Sequence, residues 1–158
     1  MSSTDVSSES TSEAQGGLGV DMNLEVVTLP VSDIDRAKSF YESLGWRLDI
    51  DLAVSDEMRT VQFTPPHSGC SIQFGKGRTA AEPGSAQAMI LVVEDIDAAR
   101  NDLISRGVDV SEVHEARPPG FEQGGRSYFA RASFSDPDGN GWELQEITER
   151  LPGREWED

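Results

Sequence analysis

The sequence predicts an α+β domain built from two βαβββ repeats, whose mixed sheet curls around a central cavity. Three observations carry this prediction. The stretch "VSDIDRAKSFYESLG" (31–45) is echoed by "VVEDIDAARNDLISRG" (92–107), three short strand candidates follow each copy, and little more than one domain's worth of foldable chain is present.

At an offset of 62, Val31 falls on Val93, Asp33 on Asp95, Ile34 on Ile96, Asp35 on Asp97, Ala37 on Ala99, Ser43 on Ser105 and Gly45 on Gly107. In each copy an apolar strand, "LEVVTLPV" or "AMILVV", runs into an acidic helix start. An Asp or Ser there accepts from free backbone N–H groups and complements the helix dipole. A Gly ends each helix where a left-handed residue is wanted. Helical spacing gives the first helix an apolar face of Ile34, Ala37, Phe40, Tyr41 and Leu44, and the second one of Ile96, Ala99, Leu103 and Ile104. The strands that follow are "WRLDIDLAV", "RTVQFTP" and "CSIQFG" in the first half, then "VDVSEV", "YFARASF" and "GWELQEI" in the second. One βαβββ unit leaves a sheet face uncovered, and two side by side can enclose a shared space.

Composition narrows the function. Residues 1–20 are rich in Ser, Thr, Glu and Gly and read as a disordered tail. The domain is expected over 21–148, with repeat one at 22–76, repeat two at 86–148, and a C-terminal tail at 149–158 in which Trp156 wants a surface to lie on. No segment approaches the roughly 20 apolar residues of a membrane helix, and the start lacks a basic and then apolar leader. The expectation is a cytoplasmic protein without a membrane partner. A net charge of −16 repels a phosphate backbone, so nucleic acid is not expected, and a cationic small molecule would be attracted. The single cysteine, Cys70, has no disulfide or thiolate-site partner and reads as a small apolar filler.

The stretches "LPVSDIDRAKSFYESLGW", "LVVEDIDAARNDLISRG" and "FSDPDGNGWELQEI" resemble the vicinal oxygen chelate superfamily. It holds glyoxalases, extradiol dioxygenases, fosfomycin-resistance enzymes, epimerases and bleomycin-type drug-binding proteins. The resemblance covers about residues 22–148 and implies a glyoxalase-like fold. Metal-using members take four ligands from the first and last strands of each half. The matching positions here are Val26, Gln73, Ala88 and Glu143. Valine and alanine cannot coordinate a metal, and divalent ions want three or more protein donors. The expectation is therefore no cofactor, with a divalent metal as the alternative if Glu25 and Gln87 were brought in by a register shift.

Gln73 and Glu143 are expected to meet across the cavity, with Glu143 a candidate acid or base. Thr28, Ser71, Ile90, Val92 and Gln145 are further inward positions by strand alternation. His114, Arg126, Tyr128, Phe134 and Trp142 are candidates for the mouth or lid, Arg59 and Gln62 are similar cases, and His67 is a loop residue. The resemblance implies binding of a small organic molecule, in the manner of bleomycin-resistance proteins, in a protein that pairs as a homodimer and can exchange halves between chains. The alternative is an enzyme of the superfamily (lyase, isomerase, cyclase or dioxygenase) using Glu143 as acid, base or metal ligand.

Overall fold

Asp33 and Asp95 start the two helices in the same way. Each side chain accepts a backbone N–H three residues on, from Arg36 and Ala98, at 3.0 Å. The helices α1 (Ile34–Ser43) and α2 (Ile96–Ser105) end before Gly45 and Gly107, whose φ values of 81° and 86° lie in the left-handed region. The structure, a computed structural model, describes residues 19–154; Trp156 and the first part of the N-terminal tail lie outside them.

The strands are β1 (Val26–Thr28), β2 (Arg47–Ser55), β3 (Met58–Thr64), β4 (Ser71–Lys76), β5 (Met89–Val93), β6 (His114–Glu115), β7 (Ala130–Ser135) and β8 (Gly141–Glu146). They form two four-stranded mixed sheets, ordered β1-β4-β3-β2 and β5-β8-β7-β6. In each sheet the first and last strands of the repeat pair in parallel and the rest are antiparallel. This is the expected α+β architecture of two βαβββ repeats, with its mixed sheet divided into two halves.

Several boundaries differ from the periodicity. The segment "VDVSEV" is not a strand. Val108 and Val110 are buried, and Ser133 N–H donates to the Ser111 hydroxyl, a side-chain bond replacing a ladder bond. Only His114–Glu115 pairs with β7. Ala88 and Tyr128 have φ of 59° and 71°, so β5 and β7 begin after them. Ile104, expected on the buried face of α2, is an exposed side chain.

One core serves both repeats. Tyr41 on α1 packs against Phe63 and Phe74 of the first sheet and Trp142 of the second, with ring centroids 5.7–6.2 Å apart. Its hydroxyl donates to Asp136 at 2.9 Å and accepts from the Trp142 indole at 3.0 Å. Burial, with Asp136 beside it, pushes the Tyr41 phenol well above its usual range. The turn 136–140 is tied across the same seam. Asn140 donates to Pro30 O and Asp136 and accepts from Ala86 N–H, while Ser32 N–H and the Arg36 guanidinium bond Asp138. Gly84, in the linker between repeats, has φ of 81°, and a Cβ there would lie 2.1 Å from Asp138 O. Only glycine allows the linker to lie this close.

On the surface beside α1, Asp51 bonds Arg59 twice at 3.0 Å and Lys38 at 2.9 Å. Arg59 first, then Lys38, pull its carboxyl down to about 2. A folded-state pKa below the unfolded 3.8 means stabilisation that is present above 3.8 and lost as pH falls toward 2. The stability gap between wild type and Asp51→Asn, measured by urea unfolding, is therefore expected at about pH 6 and to close near pH 2; a gap unchanged by acid would refute the pairing.

Candidate functional site

Register decides which side chains share a face. In the first sheet Val61, Phe63, Ile72 and Phe74 are buried toward α1. The alternate positions, Val26, Thr28, Gln62, Ser71 and Gln73, therefore stand on the opposite, outer face. In the second sheet Ala130, Ala132, Phe134, Trp142 and Leu144 are buried, leaving Ile90, Val92, Arg131, Ser133, Glu143 and Gln145 outside.

The two outer faces are built alike. On the first, the Gln73 amide donates to the Thr28 hydroxyl at 2.8 Å, and Arg78 donates to Gln73 Oε1 at 3.2 Å. Thr28 and Gln73 are direct cross-strand partners, as are Ile90 and Glu143 in the second repeat. Below Gln73, the hydroxyls of Ser71 and Thr64 lie 2.7 Å apart, and Thr64 also donates to Asp49. On the second face Arg131 donates to Glu143 at 3.1 Å, and Gln145 donates to Tyr128 O at 2.9 Å. Ile50 and Leu52 on β2, with Ile90 and Val92 on β5, give both faces exposed apolar side chains.

The structure thus brings Thr28 to Gln73 and Ser71 to the same face, but it does not bring Gln73 to Glu143 within one chain. The helix sides of both sheets are packed into the shared core, so the outer faces do not look at each other. Trp142 is likewise corrected: it is buried against Tyr41 and lines no outer face. Phe134 stacks on Trp142 in the same core. Arg126 lies on the helix side, bonded to Glu146 at 3.0 Å and Asp97 at 2.6 Å, where it braces the start of α2. Arg59 is also on the helix side. His114 stands in strand β6 opposite Arg131, and His67 sits in the loop before Cys70 with φ of 63°. Burial raises the Cys70 thiol above its usual range, with Glu25 adding to the effect. The Tyr128 hydroxyl accepts Leu151 N–H, placing its ring under the C-terminal segment.

Two site residues escaped sequence reasoning. Arg131 faces outward with Gln145 by register and was countable only once β7 was known to start at Ala130. Arg78 lies past the end of β4 and has no periodic signal at all.

The superfamily's metal does not fit these residues. Val26 and Ala88 offer no donor, Glu143 already holds a guanidinium, and Gln73 is taken by Thr28 and Arg78. Among the described residues no three His, Cys, Asp or Glu side chains cluster to hold an ion.

The free edges of β1 and β5 adjoin an apolar cleft of about 290 Å³, lined by Leu24, Val27, Ile72, Met89, Leu91 and Trp142 among others. Among the described residues no helix is long and apolar enough to cross a membrane.

No curated protein matches the chain. Among solved structures, it is similar to TnmS3, an antibiotic binding protein from Streptomyces sp. CB03234, at 29% identity and a TM-score of 0.66, covering 82% of this chain and 99% of that one. A glyoxalase/bleomycin resistance protein from the same Streptomyces strain is 31% identical with a TM-score of 0.61, covering 78% and 99%. A superfamily member from Sphaerobacter thermophilus DSM 20745 is 27% identical with a TM-score of 0.61, covering 80% and 98%. The repeat, the paired sheets and a family profile matching residues 23–144 agree, and the chain belongs to the Glyoxalase/Bleomycin resistance protein/Dioxygenase superfamily.

Proposed function

We propose that this protein binds a small organic molecule without a metal, and that its binding cavity closes only when two chains pair. The observation that carries this reading is the direction of the outer faces. Each holds half of a polar set, Thr28–Gln73–Arg78 or Glu143–Arg131–Gln145, and among the described residues no hydrogen bond joins one set to the other. A two-fold pairing that sets the first face of one chain against the second face of its partner makes two equal cavities.

Exposed apolar surface supports the pairing. Strands β1 and β5 are sheet edges with unpaired backbone groups. Ile50, Leu52, Ile90 and Val92 stand in solvent on the outer faces, and Val20, Met22 and Leu24, before β1, are 70–89% exposed at a spacing of two. A monomer would leave all of this wet. Similarity to an antibiotic binding protein supports a binding role over turnover.

Sedimentation equilibrium on the full chain, with elemental analysis of protein purified without chelator, tests both parts. The expected result is a mass twice the chain's 17.2 kDa with no stoichiometric divalent metal. A monomeric mass at micromolar concentration would overturn the shared cavity, and one metal per chain would overturn the metal-free site.

A further inference from the structure

The chain carries 29 acidic and 13 basic side chains, and by that count a cationic guest would be favoured. The outer faces are composed differently. Their charged groups are Arg47 paired with Asp49, Arg131 paired with Glu143, and Arg78, whose observed partner is the neutral Gln73 amide. Three guanidinium groups thus stand against two carboxylates, and His114 adds no negative charge. Acidic residues also stand away from these faces, as Asp33, Asp35, Asp95 and Asp97 do at the two helix starts.

The guanidinium groups also have unused donors. Arg131 keeps 26% of its side chain exposed on the outer face, with Nη1 held by Glu143 at 3.1 Å. Arg78 is exposed and gives one bond to Gln73 Oε1, which fixes its direction along the outer face. Both guanidinium groups keep an open edge on the outer faces, where a ligand oxyanion can accept a charge-assisted hydrogen bond. The two outer faces also carry neutral hydroxyls and amides (Thr28, Gln62, Gln145) and the aliphatic chains of Ile50, Leu52, Ile90 and Val92. Planar guanidinium groups favour planar oxyanions.

Building on the paired-chain cavity proposed above, we infer that the ligand is an organic anion, an apolar ring system carrying a carboxylate or an equivalent delocalised oxyanion. The oxyanion is received by Arg78 of one chain and Arg131 of the partner chain. Glu143 serves as the internal counter-ion that holds Arg131 in place, and is a positioning residue.

The test uses three probes of one shape on the full-length protein: 2-naphthoate, 2-naphthamide and 2-naphthylmethylammonium, followed by calorimetry at about 0.15 M salt, where the chain's distant charges are screened. Naphthoate is expected to bind more tightly than the amide by about tenfold, the worth of one charge-assisted hydrogen bond, and the ammonium weakest of the three. Arg78→Met, a surface change that leaves the core intact, and Arg131→Met each remove the preference for naphthoate over the amide. Glu143→Gln frees the Arg131 guanidinium and strengthens naphthoate binding. Tightest binding of the ammonium, no binding of any probe, or a preference unchanged in both Met variants overturns the inference. Failure of the underlying cavity is read separately: a chain that sediments as a monomer removes the paired site, whereas a dimer that prefers the ammonium removes only the ligand class.

Discussion

Replacing Asn140 with alanine is expected to cost about 3 kcal/mol of folding stability, a large share of the roughly 5–15 kcal/mol that holds a domain of this size. Asn140 is fully buried and makes three bonds: to Pro30 O at 2.9 Å, to Asp136 at 2.8 Å, and from Ala86 N–H at 3.1 Å. These partners come from the segment just after the first strand, the turn before the last strand, and the linker between repeats. Alanine would remove the acceptor of the half-buried Ala86 N–H and the donor to the Asp136 carboxylate, and would leave Pro30 O with Gly84 N–H at 3.1 Å as its remaining donor; the unmet N–H and the lost charge-assisted bond each cost about 1–3 kcal/mol. Asn140→Asp would fare no better, because it replaces the donor facing Pro30 O with an acceptor and sets a second carboxylate against Asp136. Urea unfolding should show a lower midpoint at an unchanged slope. A loss below about 1 kcal/mol would mean that the seam relaxes around the missing amide.

The second large effect is expected at Ile90. This side chain is 48% exposed within one chain, and replacing such a residue typically changes stability by about 0.5 kcal/mol or less. If the outer face of the second sheet is an interface, Ile90→Asp places a carboxylate in it, directly across from Glu143, and the assembly should fall to single chains. Ile90→Lys separates this from a local effect. Lysine opposite Glu143 is favourable within the sheet, so a purely local account predicts that Asp harms and Lys does not. The interface account predicts a halved sedimenting mass for both, with naphthoate binding lost. A dimer that survives both changes would place the contact elsewhere.

Much of this arrangement was legible in the sequence because the information is local. Asp33 and Asp95 cap helices, Gly45 and Gly107 end them, and "DPDGNGWELQ" is a turn and strand that hydrogen bonds within a few residues largely determine. Strand alternation likewise grouped Thr28 with Gln73 and Ser71. The relative direction of the two repeats was not legible. Strand β4 reads Ser71, Ile72, Gln73, Phe74, and nothing local says whether the second repeat covers the apolar side or faces the polar one. That choice is made by contacts such as Tyr41 to Asp136 and Trp142 to Tyr41, which span about a hundred residues. For the same reason the sequence left Trp142 and Phe134 open between mouth and core; both are largely buried, and Trp142 also lines the cleft at the sheet edges. Arg131 and Ala88 were obscured by strand starts, where one left-handed residue shifts the count.

The common core has a consequence for how the molecule folds and for its origin. Tyr41, Phe63 and Phe74 from the first half are covered by Trp142 and Phe134 from the second, so neither half has an inside of its own. Unfolding is expected as one cooperative transition, not two, with calorimetric and van't Hoff enthalpies in agreement. A single repeat expressed alone would have to cover its aromatic side with another copy of itself. A duplicated gene with a short linker makes that encounter intramolecular, and the two copies are then free to diverge into Gln73 on one side and Glu143 on the other.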